Sequence, residues 1–179
     1  MDAQRHSIIP DGIMTGVIGA VIVAVWYFIV DTAGGQPLHT PNVLGKIFLR
    51  GDLEPSLGRI VPQAVLVYTV IHFVSFALVG VGLTLLVHLA VRNTSLRMGV
   101  WLGLVIAFGL FAGETYMLGT ASGERFSPWL VISGSVLGVL GMAGYLWRRQ
   151  PGLGRSFHEA PLGSEVPPPP HPPERPRAA

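Results

Sequence analysis

Ile13 to Val30, IMTGVIGAVIVAVWYFIV, is a run of eighteen residues without a charge, closed by Asp31. An apolar helix of about 20 residues matches the ~30 Å hydrocarbon thickness of a bilayer. A secretory signal has a shorter apolar region, about 7 to 15 residues, followed by a small-residue cleavage site. No such site follows Val30. The run is therefore expected to remain as a spanning helix, with Asp11 after Pro10 accepting hydrogen bonds from the free amides of its first turn.

Three further runs repeat the pattern. Ile60 to Val91 is uncharged apart from His72 and His88, and at ~1.5 Å per residue it exceeds the bilayer thickness, so it must tilt or protrude. Met98 to Gly119 carries a single acid, Glu114, and Pro128 to Trp147 is closed by Arg148 and Arg149. The expected class is all-α: a polytopic membrane protein, a four-helix transmembrane bundle over 13–148, with spans at 13–30, 62–90, 98–119 and 128–147. Residues 1–12 form an N-terminal flank. Between the first two spans, the amphipathic piece Val43 to Leu49 is expected on the membrane surface. Residues 149–179 carry nine prolines, including Pro167 to Pro170, a composition that neither continues a helix nor buries a core. A disordered tail is expected there.

Composition agrees. Half of the chain is apolar and 12% is charged, against about 25% in soluble domains, so lipid is the expected surrounding and the bilayer the expected partner. The 12 Lys and Arg exceed the 10 Asp and Glu by only two and sit at segment ends, which argues against a nucleic-acid surface. The absence of cysteine excludes disulfides, thiolate metal sites and thiol nucleophiles. Arg5, Arg92, Arg97, Arg148, Arg149 and Arg155 fall on one side of the spans and Lys46, Arg50, Arg59 and Arg125 on the other. Because Lys and Arg are retained on the cytoplasmic side, both termini are expected to be cytoplasmic, in a bacterial cytoplasmic (inner) membrane. Trp26 and Trp129 then mark the outer interface, and Trp101 and Trp147 the inner one.

In lipid, helices associate through close backbone approach at small residues and through a few hydrogen bonds. Gly12, Gly16, Ala20 and Ala24 form a stripe at four-residue spacing on the first helix, and Gly99, Gly103 and Ala107 form one on the third. Gly134, Gly138 and Gly141 give the fourth helix its own smooth ridge. Ionisable groups inside spans are costly and mark candidate sites. Tyr68, His72 and Ser75 share one face of the second helix, Glu114 continues the third helix's stripe, and Tyr27 and Asp31 continue the first's. At the expected depths His72 and Glu114 differ by only ~5 Å along the helix axis. A carboxylate beside an imidazole favours the protonated ring and can relay protons or hold a quinone headgroup. The simpler reading is that these groups hydrogen-bond between helices. His88 stands sixteen residues from His72, on nearly the opposite face, so the two cannot hold one haem together. No cofactor and no metal site is expected.

The stretches IPDGIMTGVIGAVIVAVWYFIVD (Ile9 to Asp31), PNVLG (Pro41 to Gly45) and YTVIHFVSFALVG (Tyr68 to Gly80) resemble those of small bacterial four-helix integral membrane proteins that have no assigned activity. The resemblance covers about the first half of the chain. It implies a cytoplasmic-membrane protein whose second-helix histidine is its most distinctive residue, and it brings no substrate or cofactor. Smooth helix faces outnumber chemical groups, so the expected function is a non-catalytic structural or accessory subunit of a larger membrane complex. The alternative is a redox- or proton-handling protein, with quinone or haem contact, centred on His72 and Glu114.

Overall fold

The computed structural model describes residues 8–50, 59–92, 97–121 and 127–149; the proline-rich tail lies outside them. Among the described residues five helices follow one another: α1 (Ile8–Ala33), α2 (His39–Arg50), α3 (Pro62–Arg92), α4 (Arg97–Ala121) and α5 (Pro128–Arg149). All except α2 are long and apolar enough to cross a membrane. The protein is an all-α, four-span bundle. α1 packs on α3 and α5, and α4 closes the ring by packing on α3 and α5 as well. Large apolar side chains face outward, with Leu78 at 69% and Met117 at 71% exposure, a surface that lipid covers and water would not tolerate.

Two helix starts differ from expectation. α1 begins at Ile8, so Asp11 lies inside its first turn rather than ahead of it. There the Asp11 carbonyl accepts from the Thr15 hydroxyl at 2.7 Å, and its carboxylate stands 3.9 Å from the Arg149 guanidinium of α5. That ion pair places the start of α1 and the end of α5 at the same end of the bundle. α2 is longer than the amphipathic piece read from the sequence, and one of its faces meets protein. Thr40, Asn42, Val43, Leu44 and Lys46 are buried, and α2 packs against the beginning of α3. A Cβ on Gly45 would strike the Ala64 backbone, so the absent side chain is what permits this crossing. Proline opens α3 at Pro62, where its missing N–H costs nothing, and the Val61 amide donates to the Asn42 side chain at 2.8 Å.

The chain leaves α1 through a defined turn. Gln36 N–H donates to the Asp31 carbonyl and Gly35 N–H to the Thr32 carbonyl, at 2.9 and 3.0 Å, with Gly35 at φ 76°. This is the Schellman arrangement, in which a left-handed glycine satisfies the last carbonyls of a helix.

The tightest packing lies between α1 and α3, where the backbones meet at glycines. A Cβ on Gly12 would stand 2.5 Å from the Val81 Cα, and one on Gly80 would stand 2.5 Å from the Gly16 nitrogen. Beside this crossing the buried Thr15 and Thr84 hydroxyls lie 3.5 Å apart. Gly19 leaves room for the Met142 side chain, 2.7 Å from where a Cβ would be, and Gly138 does the same for Val23. Gly134 lies under Trp26 and Tyr27, and Gly141 under Ile22. Trp26 is thus packed over α5 rather than freely exposed like Trp129, at 78%. Gly103 meets Leu86 and Leu83, but Gly99 has nothing within 4 Å and takes no part in this packing. The rings of Phe76 and Phe111 stack at 3.8 Å, 2° from parallel, and join α3 to α4 at the centre.

Candidate functional site: a cavity at the α2 end of the bundle

Tyr27 and Asp31 are one turn apart on α1, and Tyr68 and His72 are one turn apart on α3, so the α1–α3 packing brings the two pairs onto one space. They line a cavity of about 120 Å³ that is closed toward α2 by Leu38, Thr40 and Pro41. Leu38 is in the left-handed region, at φ 67°, a conformation disfavoured for a branched side chain. That turn brings the chain directly from the end of α1 into α2 and sets Leu38 in the cavity wall.

His72 Nε2 lies 3.2 Å from the Ala20 carbonyl, a bond that the ring makes as donor in its Nε2–H tautomer. Aromatic rings surround it: Tyr68 stacks at 5.8 Å between centroids, Phe73 meets it edge-on at 5.9 Å, and Phe76 stands at 4.6 Å. Since Phe76 stacks on Phe111, α4 stands one ring away from the imidazole. The Asp31 carboxylate accepts two bonds from one residue, the Thr40 amide at 2.8 Å and the Thr40 hydroxyl at 2.7 Å. Both are buried. Tyr27 is also buried, and on α4 the Thr115 hydroxyl donates to the Phe111 carbonyl at 3.0 Å.

Tyr27, Asp31, Tyr68 and His72 are thus gathered in one lining. Ser75 is half-buried on α3 and is not part of it. Glu114 lies on α4 by its backbone, and its side chain is outside the described residues. Thr40 and Leu38 were not singled out from the sequence, because both lie in the polar connection where periodicity carries no signal. A threonine nine positions after an intramembrane aspartate was the available hint. Among the described residues, no group of three or more His, Asp or Glu side chains is placed to hold a metal ion.

The arrangement can accept or donate hydrogen bonds to a small polar group, and it fastens α1, α2 and α3 to one another. The chain matches no protein-family model, no curated protein and no solved structure.

Proposed function

We propose that this protein is a non-catalytic membrane protein that serves as an accessory subunit of a larger membrane complex. We place it in the cytoplasmic membrane of a bacterium, with both termini in the cytoplasm. The observation that carries the reading is the contrast between committed polar groups and uncommitted helix surface. Asp31 is spent on Thr40 and His72 on Ala20, whereas on α4 Gly109 and Gly113, one turn apart, have nothing within 4 Å of where a Cβ would stand. Small residues at that spacing let another helix approach closely. The arginines at the ends of α3, α4 and α5 support the orientation, and the resemblance of the first half to small bacterial membrane proteins supports the choice of membrane.

Tagged protein purified in mild detergent tests this. A co-purifying subunit is expected, and Gly109→Leu with Gly113→Leu is expected to release it without changing the bundle's own melting temperature. A lone species from wild-type membranes counts against the accessory role.

The cavity lining favours one second reading, a redox- or proton-handling protein with a quinone headgroup or haem held near His72 and Glu114. On the leading reading His72 is a helix-to-helix tie worth about 1 kcal/mol. His72→Gln, which still donates to the Ala20 carbonyl, is then expected to be near wild type in stability, and His72→Leu to be weaker by roughly that amount. The purified protein is expected to be colourless and free of extractable quinone. A bound quinone or a haem spectrum that disappears in His72→Gln transfers the argument to the second reading.

A further inference from the structure

A second cavity, of about 370 Å³, opens between α4 and α5 with Leu83 and Val87 of α3 as its floor. Val100 and Phe108 mark its extent on α4, where Trp101 also lines it, and Ala143 and Trp147 lie along α5. The lining is hydrocarbon and indole, with no ionisable side chain in it.

Its length selects the occupant. The lining residues run from Val100 to Phe108 on α4 and from Val136 to Trp147 on α5, which is about 12 and 16 Å at 1.5 Å per residue. That is one leaflet of a ~30 Å hydrocarbon core. A partner helix spanning both leaflets would run well beyond it, whereas an extended acyl chain matches its length.

Charge marks one end. Arg148 is exposed and directly follows Trp147, and Arg97, the first residue of α4, stands one turn before Val100 and Trp101. Among the described residues the ion pair at this end of the bundle engages Arg149 with Asp11 and leaves Arg148 out. An apolar slot one leaflet deep, with two arginine positions and two tryptophans at its mouth, matches an amphiphile with an anionic headgroup.

We propose that the α4–α5 groove binds an acyl chain of an anionic phospholipid, with its phosphate held at the end marked by Arg97 and Arg148. The site is separate from the α4 surface at Gly109 and Gly113, which lies beyond Phe108 toward the opposite leaflet, so it stands whether or not a partner helix docks there.

Bromine-labelled lipids test the site in the full chain. Trp26→Phe and Trp129→Phe remove the two tryptophans that do not line the groove and leave Trp101 and Trp147 as reporters. The protein is reconstituted in phosphatidylcholine vesicles containing a graded fraction of either brominated phosphatidylglycerol or brominated phosphatidylcholine. Half-maximal quenching by the anionic lipid is expected at a mole fraction lower by about fivefold or more, the preference that one arginine near a headgroup confers. Arg148→Gln is expected to reduce that preference about fivefold, and so is 1 M salt, which screens exposed charges. Ala143→Phe fills the groove and is expected to abolish the preference. Should Ala143→Phe fail to fold, the exposed Arg148→Gln decides alone. Equal quenching by the two lipids in the parent protein, or a preference unchanged in Arg148→Gln, overturns the proposal.

Discussion

Alanine at Gly16 or at Gly80 is expected to lower the stability of the bundle by about 3 kcal/mol, the upper part of the range for overpacked interiors, in SDS-titrated unfolding from mild detergent. Alanine at Gly109 is expected to leave it unchanged or raise it by under ~1 kcal/mol, because removing glycine from a helix interior relieves an entropic cost. The chemistry of the three changes is identical and only the surroundings differ. A Cβ on Gly16 would strike the Phe76 carbonyl oxygen and lie 2.5 Å from the Ala77 Cα; one on Gly80 would lie 2.8 Å from the Gly16 Cα. These are backbone atoms and cannot rotate aside, so relief requires α1 and α3 to part along the most extensive contact in the bundle. Parting also withdraws the Ala20 carbonyl from His72 and separates Thr15 from Thr84. Once the helices have moved apart for one Cβ there is room for the second, so Gly16→Ala with Gly80→Ala is expected to cost clearly less than the sum of the two. If Gly16→Ala and Gly109→Ala unfold at the same SDS fraction, the backbone-on-backbone crossing is not what holds α1 to α3.

That crossing shows what a sequence of this kind displays and what it hides. Long uncharged runs are a composition signal, so the four spanning helices were legible without knowing their neighbours. Small-residue stripes state only that a helix has a face another backbone can approach. Gly16 and Ala20 do lie in packed surroundings, and so do Gly134, Gly138 and Gly141. Gly99, in an equally regular stripe, faces empty space, and Gly80, which receives Gly16, belongs to no stripe that spacing alone picks out. A stripe identifies one half of an interface, and its other half is set by the bundle's closure.

The cavity was legible to a different degree. Tyr68 with His72, and Tyr27 with Asp31, were visible as helical pairs, because polar side chains four residues apart in an apolar run share a face. That the pairs confront one another follows from the α1–α3 register, which the Gly16–Gly80 contact fixes. The packing of α2 on α3 is not legible in the sequence, because amphipathicity in a short segment reads the same whether its apolar face meets lipid or protein. Gly45 over Ala64 and Asn42 bonded to the Val61 amide decide for protein here.

Asp31→Ala is expected to free α2 while leaving the four spans assembled. A carboxylate in the last turn of α1 faces the negative end of that helix, an unfavourable place of itself. The same group is near the positive start of α2, where it accepts the Thr40 amide at 2.8 Å and the Thr40 hydroxyl at 2.7 Å. It thus performs the work of an N-cap from a neighbouring helix. Thr40 is only 4% exposed, so removing the carboxylate leaves two buried donors without their acceptor, a loss of about 1–3 kcal/mol. Asp31→Asn keeps one oxygen for the amide and is expected to lose roughly half of that. Thr40→Val, which deletes the hydroxyl and keeps the amide bond, is expected to lose about 1 kcal/mol. The discriminating measurement is local: amide hydrogen exchange in detergent, where Asp31→Ala should speed exchange at Thr40 and through α2 by one to two orders of magnitude, the ratio that ~1.4–2.8 kcal/mol of local stability corresponds to. The amides of α1 and α3 around Gly16 and Gly80 should keep their protection. Acceleration shared equally by all four spans would mean that Asp31 supports the whole bundle rather than this one attachment. No acceleration at Thr40 would mean that α2 is held by its apolar face on α3 alone.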